Sequence, residues 1–212
     1  MNTIDYIFEK FKLNKEEQSP TYISGDRNVF PSLFRELGFK VGVEVGVLTG
    51  IFSEVLCQEM PDAVIHSVDP WEFYPVRKNF RKQKDHDANY IMAVERLSKY
   101  PNNNIIRKKS VDAAKDFENE SLDFVFIDGD HEFQAITNDI AEWLRKVKKG
   151  GIISGHDYGR SHDGVFGNVK DVVLAWTFSK KITPWFVLET EPYMNNRESG
   201  AYRETSWFWV KQ

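Results

Sequence analysis

A chain of 212 residues, 41% of them hydrophobic, is long enough to bury a full core in one α/β domain with a small N-terminal addition. Its 28 Lys and Arg against 32 Asp and Glu leave a formal net charge of −4, which excludes the basic stripe that sequence-independent nucleic-acid binding needs. The lone Cys57 excludes an internal disulfide framework and suits a reducing cytoplasm, and no apolar stretch approaches the ~20 residues that span a bilayer.

The opening run MNTIDYIFEKFKLNKEE carries charge through every turn, so it does not read as a signal peptide. Residues 3–13 read as an amphipathic helix whose Phe8 and Phe11 offer a surface for a second copy of the chain. A second helix is expected over 28–37, stopping at Gly38. From there strands and helices alternate. Strands are expected at 41–45, 63–68, 104–107, 122–127, 152–154, 185–189 and 206–210, and helices at 51–59, 87–99, 111–117, 133–147 and 168–178. The helix at 133–147 has a clear stripe of period 3.6, and Lys148-Lys149-Gly150-Gly151 reads as its C-terminal stop. The alternation predicts a mostly parallel, doubly wound sheet with helices on both faces over 36–212, preceded by a helical extension over 1–35.

In such a sheet, ligands bind outside the carboxyl ends of the strands. Three strand ends here are polar where a core strand would simply stop: VGVEVGVLTG at 41–50, FIDGDHEF at 126–133 and GGIISGHDY at 150–158. In the first, Glu44, Gly46 and Gly50 form E-x-G-x-x-T-G. The glycines allow a close backbone approach, so a ligand can lie against the turn. The spacing is not that of a dinucleotide site, and Glu44 would repel a phosphate but suit an ammonium group. Asp69 ends the next strand, where an acidic residue can accept bonds from ribose hydroxyls. A cofactor with a ribose, a cationic amino-acid portion and no pyrophosphate is implied, and S-adenosylmethionine fits.

Asp128, Asp130 and His131 follow the 122–127 strand, and His156 and Asp157 follow the next. Asp128, His156 and Asp157 are expected to converge, and a divalent cation would relieve the repulsion among them. Oxygen ligands favour Mg²⁺ or Mn²⁺, and the imidazole shifts the balance toward Mn²⁺. Asp130 and His131 read either as a base or, for Asp130, as the N-cap of the helix from Phe133. His66, His86 and His162 read as ordinary surface or loop residues. The basic run at 77–84 reads as a solvated face or as a contact for an anionic substrate group.

VEVGVLTG, SVDPW, KKSVDAAKDF, LDFVFIDGDHEFQAITNDIAEWLRKVKKGGIISGHDY and SWFWVK together resemble class I S-adenosylmethionine-dependent methyltransferases, over residues 36–211. The resemblance is closest to the macrocin O-methyltransferase-like, or methyltransferase-24, family. It implies a seven-stranded sheet with an antiparallel last strand. It also implies Glu44, Gly46 and Gly50 around the methionine portion, with Asp128 bordering it, Asp69 on the ribose, and Pro70, Trp71 and Ser110 near the adenine. Metal ligands would fall at Asp128, His156 and Asp157, and the base at His131 or Asp130. The position of His156 is commonly a carboxylate or Asn in metal-dependent members. The expected reaction is methyl transfer to a hydroxyl of a small sugar- or phenol-like acceptor. That acceptor should touch Trp71, Phe73, Tyr74, Arg77 and the stretch 158–166. A metal-independent methyltransferase with His131 or His156 as base, a nicotinamide-dependent oxidoreductase, a hydroxylase-like relative and a non-catalytic binding module are the alternatives; the oxidoreductase lacks G-x-G-x-x-G.

Overall fold

The computed structural model describes residues 1–73, 82–159, 168–190 and 205–212. Its strands are β1 (Thr21–Ser24), β2 (Val41–Val45), β3 (Val64–Val68), β4 (Asn103–Ile106), β5 (Leu122–Ile127), β6 (Val147–Gly155), β7 (Trp185–Glu189) and β8 (Ser206–Val210). The helices are α1 (Thr3–Lys10), α2 (Val29–Glu36), α3 (Ile51–Glu59), α4 (Gln83–Leu97), α5 (Ser110–Ala113), α6 (Phe133–Lys146) and α7 (Val169–Lys180), with a 3₁₀ turn at Ala114–Asp116. One sheet takes the order β1-β7-β8-β6-β5-β2-β3-β4. Only β8 runs against its neighbours, β6 and β7; the remaining pairs are parallel.

Period-two alternation decides which helices cover which face. Val43, Val45, Val125 and Ile127 point to the side covered by α5, α6 and α7, with Ile136, Ile140, Trp143, Val172 and Val173 packed on them. Phe124, Phe126, Ile65, Phe186 and Phe208 point to the other side, under α1, α2 and α3. Phe8, read as part of a surface for a second copy, is spent on this core: its ring meets Phe186 edge-on at 5.8 Å, and Phe11 packs against the same cluster.

Two expectations change. Among the described residues the sheet has eight strands rather than seven, because Thr21–Ser24 pairs in parallel with β7. Thr21 and Ile23 face inward while Tyr22 and Ser24 face out, an alternation too short to stand out within a polar stretch. Lys148–Gly151 does not reverse the chain after a helix; it lies within β6, which leaves α6 directly at Val147. The register between β5 and β6 shifts there, and the positive φ of Gly150 (81°) absorbs the irregularity. Among the described residues no helix is long and apolar enough to cross a membrane.

Candidate active site

β2, β3, β5 and β6 bring their carboxyl ends to one edge of the sheet, and the polar residues that follow them face each other there. Asp128 and Asp157 are the carboxylates of this cleft, each with 16% of its side chain exposed. His131 Nε2 lies 3.1 Å from Asp157 Oδ2 and 3.7 Å from Asp128 Oδ1. His156 Nδ1 lies 3.3 Å from Asp157 Oδ1 and 3.9 Å from the same Asp128 Oδ1. Two imidazoles thus alternate with two carboxylates. Asp157 holds a left-handed backbone (φ 56°), a conformation that Asp tolerates better than most residues and that often marks a functional site.

The two histidines differ in surroundings. His131, 21% exposed, opens to the cleft; His156, 5% exposed, has its Nε2 buried without a hydrogen-bond partner among the described residues. Among the described residues, those close enough to share a cation are Asp128, His131 and Asp157, so His131 rather than His156 is the imidazole of the tightest group. Asp130 stands beside the cluster and accepts the Glu132 N–H at 3.0 Å, while Glu132 takes the N-cap position of α6.

The sequence gives no sign of one participant, Arg27, which lies in the turn between β1 and α2. Its Nη1 donates to Asp128 Oδ2 at 3.1 Å, the oxygen opposite the one nearest the imidazoles. Guanidinium and imidazoles therefore already stand against these carboxylates.

Glu44 shares a sheet face with Phe124 and Phe126, in register with Ser67, and so turns under the cleft edge rather than into it. It is 2% exposed and accepts a short bond from Ser53. Ser53 meets Ser67 at 2.6 Å, and Asn103 Nδ2 donates to Ser67 at 2.8 Å, completing a buried polar chain. Burial pushes the Glu44 carboxyl up to about 8; the negative charges of Asp128 and Asp69 add to this, against the Ser53 bond and the charge of Arg27.

The glycine turn is filled differently from the expectation. Gly46 has φ 91°, and a Cβ there would fall 2.0 Å from the Asp128 carbonyl oxygen, so its bare backbone makes room for the end of β5. At Gly50 (φ 80°) a Cβ would meet Leu97 of α4 at 3.1 Å. Protein, not an open groove, occupies the space beside both glycines.

Asp69 Oδ2 accepts the Leu48 N–H at 3.0 Å and Asp69 Oδ1 the Trp71 N–H at 2.7 Å, tying the glycine turn to the loop after β3. Burial nonetheless leaves the Asp69 carboxyl above its ordinary value. Pro70 is half-buried beside it. Trp71 is buried at 1% exposure, its indole N–H donating to the Leu48 carbonyl at 2.7 Å and its ring against Tyr90, so it packs as core and offers no open face to an acceptor. Tyr158 is likewise buried, against Trp185. Phe73 is exposed, while Tyr74, Arg77 and the stretch 160–167 lie outside the described residues. Lys82 and Lys84, from the basic run, are exposed at the start of α4.

Ser110 accepts the Trp143 indole N–H at 2.8 Å and bonds to Asp139, a buried carboxyl at 6% exposure that burial pushes up to about 7. Asp139 escaped notice because it sits inside the apolar stripe of α6, between Ile136 and Ile140; a carboxylate on that stripe was the available signal. His66, read as an ordinary surface or loop residue, is half-buried on β3 with its ring edge-on to Phe117; His162 lies outside the described residues.

Comparison with known proteins bears on the fold and the family. Residues 43–158 match the family model described as a methyltransferase domain. No curated protein matches the chain. Among solved structures, an O-methyltransferase from Bacillus cereus in complex with SAH is 17% identical, with 99% of this chain and 90% of that one covered and a TM-score of 0.59. The O-methyltransferase TomG from Streptomyces achromogenes, involved in tomaymycin synthesis and solved with SAM, is 14% identical over 97% and 86% of the chains at a TM-score of 0.61. An rRNA methylase from Streptococcus thermophilus is 13% identical over 82% and 88% at 0.55. These likenesses show a shared fold across different acceptors.

Proposed function

From a chain that belongs to the methyltransferase-domain family, within the class I S-adenosylmethionine-dependent methyltransferases, we propose an O-methyltransferase acting on a hydroxyl of a small sugar- or phenol-like molecule. The observation that carries this reading is His131, open to the cleft with its Nε2 3.1 Å from Asp157 Oδ2. A hydroxyl is a poor nucleophile until it loses its proton, and an imidazole backed by a carboxylate is suited to take it. The net charge of −4 supports a small acceptor over a nucleic acid, and the single buried thiol, Cys57, supports a cytoplasmic setting.

S-adenosylmethionine, when bound, supplies an electrophilic methyl on a sulfonium sulfur. His131 accepts the acceptor's hydroxyl proton on the ring nitrogen that does not face Asp157, its Nε2 being set toward Asp157 Oδ2, and Asp157 stabilises the imidazolium that results. Asp128, bonded to Arg27, keeps its carboxylate oriented at the edge of the same cleft. Holding both reactants against these strand ends supplies the orientation that an in-line displacement needs.

The donor set also fits a divalent cation: Asp128 and Asp157 would hold it with His131 or His156, a mixed oxygen and nitrogen group that favours Mn²⁺ over Mg²⁺. Such a cation would lower the pKa of an acceptor hydroxyl and orient a vicinal pair. A metal-free reading rests on its own observation: Arg27 and the two imidazoles already stand against these carboxylates. Transfer of labelled methyl to a panel of sugars and phenols, with EDTA or with Mn²⁺, tests both. Transfer lost in EDTA and best restored by Mn²⁺ supports the metal, full transfer in EDTA supports the metal-free enzyme, and labelling of amines alone would overturn the O-methyltransferase reading.

A further inference from the structure

Arg27 reaches the cleft from outside the matched family segment. Its turn, the strand before it and an aromatic ring hold it there. The Asn28 N–H donates to Asp26 Oδ1 at 2.8 Å and shapes the turn, while β1, just before it, is fastened to β7 and the Gly25 N–H to the Glu189 carbonyl at 3.1 Å. The Arg27 guanidinium lies over the Phe52 ring, 5.6 Å from its centroid, and Phe52 is in the first turn of α3, immediately after the glycine turn. Among the described residues Asp128 takes one of the five N–H donors a guanidinium offers, and the side chain keeps 28% of its surface exposed.

We propose that Arg27 binds the α-carboxylate of the cofactor's amino-acid portion, leaving the α-ammonium to the acidic side of the same ion pair. A guanidinium beside a carboxylate is the complement of a zwitterionic head group, which can lie across the pair with both of its charges answered. The position over Phe52 chooses the cofactor rather than an anionic acceptor, because it places the guanidinium above the turn that opens α3. So does the choice of oxygen: Arg27 uses Asp128 Oδ2, whereas the imidazoles, where an acceptor hydroxyl is deprotonated, stand nearest Oδ1. The charge of Arg27 also reaches Glu44, beneath that turn.

The inference rests on S-adenosylmethionine being the cofactor, and the test separates the two. Calorimetric titrations of the full chain, all in EDTA, would compare S-adenosylmethionine, its decarboxylated analogue and 5′-methylthioadenosine, which lacks the amino-acid portion. Wild type should prefer S-adenosylmethionine over the decarboxylated analogue by roughly tenfold to a hundredfold, the scale of a charge-assisted hydrogen bond. Arg27→Ala should lose affinity for S-adenosylmethionine by the same factor and cease to discriminate, Arg27→Lys should recover part of it, and 5′-methylthioadenosine should bind all three proteins alike. Equal losses for every ligand would make Arg27 a structural residue and overturn the proposal. Unchanged affinity in Arg27→Ala, or a raised KM for the acceptor alone, would overturn it as well. A wild type that binds no adenosyl ligand would bring down the cofactor reading along with this one, whereas binding without discrimination would bring down this one only.

Discussion

Glu44 and Asp139 are carboxyls held in the interior, pushed by burial up to about 8 and about 7. A group whose folded pKa stands above its unfolded value binds more protons when folded, so stability falls as pH rises through the interval between the two. For Glu44 that interval runs from 4.5 to about 8. Protein without cofactor should therefore be less stable at pH 8 than at pH 5, and Glu44→Gln should flatten that fall by up to roughly 1.4 kcal/mol per pH unit. Urea unfolding at the two pH values reads this directly; identical slopes for both proteins would remove Glu44 as the cause. At the imidazole–carboxylate cluster, His131→Ala should lower kcat by about 10²–10⁴-fold with cofactor affinity unchanged, as loss of a general base does. A fully active variant would move the proton transfer to Asp130 or His156. The acidity of these strand ends was legible because a carboxylate after an apolar run needs a reason to be there. Which way each one points was not, since neighbouring positions on a strand face opposite sides: Glu44 turned under the sheet with Phe126 while Asp128, past the end of β5, reached the cleft. Arg27 left no trace, because a lone arginine in a polar segment looks like any solvated one.

At the scale of elements, strands and helices with a full period were readable within a few residues: β2, β5, β7, β8 and α3 lie where alternation and stripe put them. What escaped was decided by partners distant in sequence. β1 is a strand because β7 offers an edge, and Gly150 lies inside β6 because β5 holds its register on either side of the shift. Gly46 is a similar case, since its bare Cα is required by the backbone of Asp128. Gly46→Val should therefore cost more than ~2 kcal/mol of stability through overpacking and an unfavourable positive φ. A variant that kept its denaturation midpoint and lost only cofactor binding would contradict this. At the opposite end of the sheet, Asp123 Oδ2 accepts the N–H groups of Lys40 and Val41 at 2.7 and 2.9 Å, and Lys148 Nζ lies 2.8 Å from Oδ1. Burial alone would raise this carboxyl, yet the bonds from Lys148, Lys40 and Val41 hold it below its ordinary value. Its contribution is thus present above the unfolded value of 3.8 and lost as pH falls through the folded one. Asp123→Ala should cost about 1–3 kcal/mol at pH 7, the scale of hydrogen bonds to a charged group, and less in acid; chemical denaturation at pH 7 and pH 3 would show the difference.

Across the whole molecule, the cleft is closed by residues from both ends of the chain. Thr21 pairs with Phe186 and Ser24 with Glu189, so the strand that positions Arg27 is anchored to a strand more than a hundred and fifty residues later. During synthesis, β2 through β6 can pair as they emerge, and the imidazole–carboxylate cluster can form with them. The guanidinium cannot take its place until β8 has left the ribosome, because β1 pairs with β7 and β7 joins the sheet through β8. A nascent chain can thus hold its imidazole–carboxylate cluster before it holds the arginine beside Asp128, and the pairings of β7 and β8 that close the sheet also complete the cleft.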